Sequence, residues 1–130
     1  MYKQTIETYN APQAIGAYSQ AVQVGKTVYI SGQIPLRPDN QELVRGDIGV
    51  KICQVFENLQ AIASAVGGTL QDIVKLNVYL TDLNNFDEVN TIMGDYIVEP
   101  YPARAVVEVS ALPKGAEVEM DAVLVLAYED

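Results

Sequence analysis

Two charged residues stand in stretches of sequence that are otherwise apolar. Arg104 lies in Tyr101-Pro102-Ala103-Arg104-Ala105-Val106-Val107, and a guanidinium among such neighbours needs an anionic partner, because an unpaired buried charge is costly. The partner could be Glu108, Glu117 or Glu119 of the chain itself, in a structural ion pair. It could equally be the carboxylate of a ligand, which the planar guanidinium fork grips through two parallel hydrogen bonds. Glu119, in Val118-Glu119-Met120-Asp121-Ala122, is the second candidate. Burial would raise its proton affinity toward the range useful in general acid–base chemistry, whereas an exposed strand end would leave it an ordinary carboxylate. Tyr18, after Ile15-Gly16-Ala17, and Ser31-Gly32 set small residues at strand ends, where a ligand can approach the backbone closely. Asn90 is either a helix-surface amide or a ligand contact.

What is missing narrows the chemistry. The chain has no histidine and one cysteine, Cys53. Ser-His-Asp and Cys-His catalysis are therefore excluded, as are histidine-bearing and multi-thiolate metal sites. No phosphate-cradling GxxxxGK[ST] or GxGxxG run occurs. Carboxylates, hydroxyls, amides and a few basic groups must suffice, with no metal and no cofactor expected. Net charge is −9, and the eight Lys and Arg are scattered with no two adjacent. Nucleic acid and anionic membranes draw their affinity from clustered basic residues, so neither is an expected partner. With no signal-like N-terminus and no apolar run of membrane-spanning length, a cytoplasmic protein is expected.

The elements that must position these residues follow from periodicity. Across 130 residues there is no repeat or linker-like run, which predicts a single domain over 1–130. Val22, Val24, Val28 and Ile30 alternate about Gly25-Lys26, predicting a hairpin. Residues 35–46, rich in Pro, Asp, Asn and Gln, predict a loop or minor hairpin. Asp47 is the expected N-cap of a long helix that stops at Gly67-Gly68, with Ile48, Ile52, Val55, Phe56, Leu59, Ile62, Ala63 and Val66 on one face. Cys53 borders that stripe as a small hydrophobe.

A strand over 73–81 follows, with Val74, Leu76, Val78 and Leu80 expected on one face. A second helix runs to about Ile97, with Phe86, Val89, Asn90, Met93 and Ile97 on one side. Strands over 104–109 and from Glu117 to about Tyr128 flank a turn at Leu112-Pro113-Lys114-Gly115. Two helices normally pack on one face of a single mixed sheet. The last strand, Ala122-Val123-Leu124-Val125-Leu126-Ala127, is apolar on both faces, so the uncovered face needs a partner and a homo-oligomer is expected.

Several runs then come together. They are Asn10-Ala11-Pro12, Ile15-Gly16-Ala17-Tyr18-Ser19-Gln20, Tyr29-Ile30-Ser31-Gly32-Gln33-Ile34-Pro35, Asp72-Ile73-Val74-Lys75 and Val78-Tyr79-Leu80-Thr81-Asp82-Leu83. Tyr101-Pro102-Ala103-Arg104, Val107-Glu108-Val109 and Ala111-Leu112-Pro113-Lys114 complete the set. In order and spacing, from about residue 5 to residue 127, the chain resembles the RidA (YjgF) family. The resemblance implies an α+β, chorismate-mutase-like fold, with two helices on one face of a mixed sheet, and a homotrimer with active sites between adjacent subunits. It also implies hydrolysis of reactive enamines and imines, such as 2-iminobutanoate and 2-iminopropanoate, to 2-keto acids and ammonia. Arg104 matches the arginine that grips the substrate carboxylate, and Glu119 the glutamate that positions the attacking water. Tyr18, Ser31, Gly32 and Asn90 match positions lining the same cleft.

The chain departs from the family pattern at two places. Gly-Ala-Tyr replaces the usual Gly-Pro-Tyr, which loosens the loop holding Tyr18. Val106 replaces a frequent cysteine, so no thiol nucleophile acts there, although its backbone could still contact the ligand. Three rival readings remain. One is a module that binds small carboxylates without turnover. Another is an endoribonuclease or translation inhibitor, against which the charge and the absent histidine argue. The third is a structural trimeric scaffold, which leaves Arg104 and Glu119 unexplained.

Overall fold

A computed structural model describes residues 2–127. The chain forms β1 (Gln4–Ile6), β2 (Ala21–Val24), β3 (Thr27–Gln33), α1 (Ile48–Ala65), β4 (Ile73–Leu80), α2 (Phe86–Tyr96), β5 (Ala103–Glu108) and β6 (Val118–Val125). The strands make one mixed six-stranded sheet in the order β1-β2-β3-β6-β4-β5. Among the described residues only β4 and β5 pair in parallel, joined by the crossover helix α2 as a parallel pair requires. β6, the last strand in sequence, is thus central and β5 lies at an edge.

The predicted caps are in place. Asp47 Oδ1 accepts from Val50 N at 3.0 Å at the start of α1, and the helix stops where Gly67 takes φ +80°, a conformation glycine adopts without strain. The β2–β3 hairpin turns through Gly25-Lys26, with Val24 paired to Thr27. Alternation then divides the sheet into two faces. Val118, Met120, Ala122 and Leu124 of β6 point inward with Leu76, Val78 and Leu80 of β4, and are buried under α1 and α2. Phe56, with its ring stacked 5.0 Å from Tyr96, ties the two helices together over this core.

The structure differs from expectation in three places. β1 has no counterpart in the periodicity, since it is three residues long and largely exposed. Val74 does not share a face with Leu76, Val78 and Leu80. A bulge between Ile73 and Lys75 shifts the register, so Ile73 is buried and Val74 is 46% exposed. The last strand ends at Val125, and Tyr128 lies outside the described residues. Residues 35–46 form the minor hairpin, with a Leu36–Leu43 bridge over a small cluster of Ile34, Leu36 and Ala116. The other sheet face carries Val22, Tyr29, Val123, Val125, Ala105 and Val107. No helix among the described residues covers it.

Candidate functional site

Arg104 stands on edge strand β5, opposite Leu76, and so points to the helix side of the sheet. There α2 holds it. Asn90 Oδ1 accepts from Nη1 at 2.5 Å, Met93 Sδ lies 3.6 Å from the same nitrogen, and the Phe86 ring centroid is 5.3 Å from Cζ. A cation over an aromatic face is favourable without neutralising the charge. Two of the acidic partners that the sequence left open are engaged elsewhere. Glu108 accepts from Leu83 N, and Glu117 pairs with Lys51. Among the described residues no carboxylate pairs with Arg104. The guanidinium therefore faces an open cavity of about 470 Å³, lined also by Asn90, Met93, Gly94, Tyr101 and Pro102. That arrangement suits an anion brought from outside. Gln71 braces the rim from below, its amide donating to Val98 O at 2.7 Å and accepting from Val98 N at 3.1 Å.

Glu119 belongs to a different cleft. It stands opposite Tyr79, so it points to the helix-free face. Its cavity, about 590 Å³, is walled by Tyr18, Ser31, Gly32 and Lys114 among others. Gly32 leaves room here for the carboxylate: a Cβ built on it would run into Glu119 Oε2, the movable end of that side chain. Burial raises the proton affinity of Glu119, and the nearby Asp121 charge raises it further. Asp121 itself accepts from Tyr79 Oη and Asn77 Nδ2, and that bond, with burial, pushes the Tyr79 phenol up to about 12.

The loop before β2 is tied down by Gln20, which is 3% exposed. Its Oε1 accepts from Thr8 N, and its Nε2 donates to the carbonyls of Thr8, Pro12 and, at greater length, Ala11. Ser31 Oγ donates to Ser19 O at 2.5 Å, so its hydroxyl holds the loop. Tyr18 stays exposed, its hydroxyl accepting from Ile15 N at 3.3 Å. The loop that Gly-Ala-Tyr was expected to loosen is thus anchored on both sides of Tyr18.

The expected site residues therefore separate. Arg104 and Asn90 share one cavity, while Tyr18, Ser31, Gly32 and Glu119 share another. Val106 packs against the core beside Arg104. Arg104 and Glu119 are two strands and three register positions apart, roughly 10 Å in each direction, and on opposite faces of the sheet. Sequence reasoning did not assign site roles to Phe86, Met93, Tyr101, Gln20, Gln71 or Lys114. Phe86 and Met93 were legible only as helix-face apolar residues, and the glutamines carry no local signal.

Fold and site together define a class of small mixed-sheet domains that present an unpaired guanidinium on an edge strand and a half-buried carboxylate on a central one. The model of the family described as Endoribonuclease L-PSP matches residues 8–126. A RutC family protein of Pyrococcus abyssi is 46% identical over all of both chains. A 2-iminobutanoate/2-iminopropanoate deaminase of Dermatophagoides farinae is 44% identical, covering 95% of this chain and 97% of its own. Among solved structures, RidA from an Antarctic Psychrobacter superposes with a TM-score of 0.91 at 53% identity, covering 95% of this chain and 99% of that one. TdcF of E. coli with bound serine gives 0.88 at 38% identity, covering 95% and 99%. The chain belongs to this RidA/RutC family.

Proposed function

We propose that the protein hydrolyses 2-imino acids, and enamines that tautomerise to them, to 2-keto acids and ammonia, in clefts between the copies of a homotrimer. The observation that carries this reading is the state of Arg104. It is fixed by Asn90, Met93 and Phe86, has no carboxylate partner among the described residues, and faces an open cavity. A clamp of that kind selects small carboxylates. A relative of 44% identity named as an imine deaminase and a structural neighbour holding serine support the substrate class.

Arg104 would hold the substrate carboxylate and so fix the C=N carbon. Glu119 would take a proton from water as its oxygen bonds to that carbon and the C=N π electrons move to nitrogen. Glu119 returns that proton to the nitrogen to give the carbinolamine, whose hydroxyl proton then passes through Glu119 to the nitrogen as the C–N bond breaks, leaving the C=O and ammonia. Water is consumed and ammonia released, with no change of oxidation state. Because Arg104 and Glu119 occupy opposite faces of one chain, a single site needs both from different copies. The apolar helix-free face supplies a reason for copies to associate. The reading takes the protein to be cytoplasmic and its substrates to be products such as those of PLP-dependent dehydratases.

The test follows 2-ketobutyrate release from freshly generated 2-iminobutyrate. Wild type should accelerate it. Arg104→Ala should lose roughly 2–5 kcal/mol of binding to the carboxylate, on the order of 30- to several-thousand-fold in rate, with the fold intact. Half-retained activity in the variant would remove Arg104 from the mechanism.

Two observations favour other readings. Serine bound in TdcF fits a module that binds small carboxylates without turnover, in which case calorimetry detects 2-ketobutyrate while the imine assay stays silent. The matching family model carries an endoribonuclease name, but a chain of net charge −9 without histidine is poorly equipped to hold or cleave RNA.

A further inference from the structure

Glu119 has a charged neighbour that neither binds substrate nor activates water in this scheme. Asp121, two residues on, shares the helix-free face with it. Both donors to Asp121 come from β4: Asn77, directly opposite Asp121, at 2.7 Å, and Tyr79, directly opposite Glu119, at 2.8 Å. The Tyr79 hydroxyl thus reaches diagonally past its own cross-strand partner to the other carboxylate. These two hydrogen bonds fix the Asp121 carboxylate in place beside Glu119. Among the described residues no donor serves Glu119. It is left half-buried beside a fixed negative charge, and both effects favour its protonated form.

We infer that Asp121, fixed in place by Asn77 and Tyr79 on the same face of β6 as Glu119, is a positioning residue whose negative charge helps Glu119 take a proton from water and return it. The inference rests on the reading of Glu119 as the group that activates water. The other titratable groups on Glu119's side of the sheet are Tyr79 and Lys75 from β4, Tyr29 from β3, and Tyr18 and Lys114 from the cavity wall. Glu117 is neutralised by Lys51. Residues two apart on a strand are about 7 Å from each other, where like charges at a partly wet surface couple by roughly half to one pH unit.

The experiment is a ¹³C side-chain carboxyl NMR titration of the full-length chain, with the Glu119 resonance assigned by its loss in E119Q. In D121N the Glu119 midpoint should fall by about half to one pH unit, and in D121E it should return to the wild-type value. An unmoved midpoint in D121N, or an equal fall in D121E, overturns the inference. Should D121N not fold, D121S keeps a hydroxyl acceptor for Tyr79 and carries the same expectation. The titration needs no turnover, so failure of the deaminase reading appears separately, as wild type that does not accelerate imine hydrolysis. With activity present, the acid limb of kcat/KM in D121N should move to lower pH together with the midpoint.

Discussion

At Gly32 the requirement is for space rather than backbone freedom, because a Cβ there would collide with the end of the Glu119 side chain. That end is flexible, so Gly32→Ala should fold with little change in Tm while displacing the carboxylate and losing most imine hydrolysis. A large Tm loss would show instead that the glycine serves the fold. Glu119 also links pH to stability. Its folded proton affinity is raised, so the stability it contributes is present below its unfolded titration range. That stability is lost as pH rises through the folded value. Above that range the ionised group opposes folding, so E119Q should melt higher than wild type there while losing activity. The advantage should vanish in acid, where the wild-type carboxyl is already protonated. Equal Tm values for the two chains across the whole range would refute the coupling.

At the scale of elements, the site depends on loops held by amides. Gln20 closes four backbone contacts over the loop that presents Tyr18, from inside the protein. Gln20→Leu leaves those groups unsatisfied, at a cost of about 1–3 kcal/mol. Chemical denaturation should show that loss, with a rise in KM as the cleft wall loosens. The sequence marks Gln20 only as a neighbour of Tyr18, because an amide's partners are chosen by the folded chain. The long helix α1 was fully legible, since its cap, apolar stripe and double-glycine stop are all local. Strand β1 and the bulge at Val74 were not: one has too few residues to show a period, and the other arises where β4 must fit the register of β6.

For the whole molecule, the decisive geometry is the opposition of Arg104 and Glu119 across the sheet. If each site takes Arg104 from one copy and Glu119 from the next, chains carrying R104A and E119Q should complement each other. Mixed trimers refolded from equal amounts contain both native residues in about a quarter of their sites, so roughly a quarter of wild-type activity should return. Sites formed within single chains would give none. The exposed apolar residues of the helix-free face, Tyr29 at 52% and Val125 at 41% exposure among them, lie where the two-sided apolar pattern of the last strand led us to expect an uncovered face.

The sequence by itself determined the helices, the hairpin, the two-sided apolar character of the last strand and the residues able to do chemistry. Those properties depend on spacing and side-chain type within a few residues. It also carried the family, through runs preserved in order along the chain. Only the tertiary structure decided that Arg104 has no acidic partner among the described residues, that Gly32 makes room for Glu119, and that the two key residues face opposite ways. Each of these depends on which strands become neighbours. The order β3-β6-β4-β5 brings together residues scores of positions apart, and no local pattern encodes that distance.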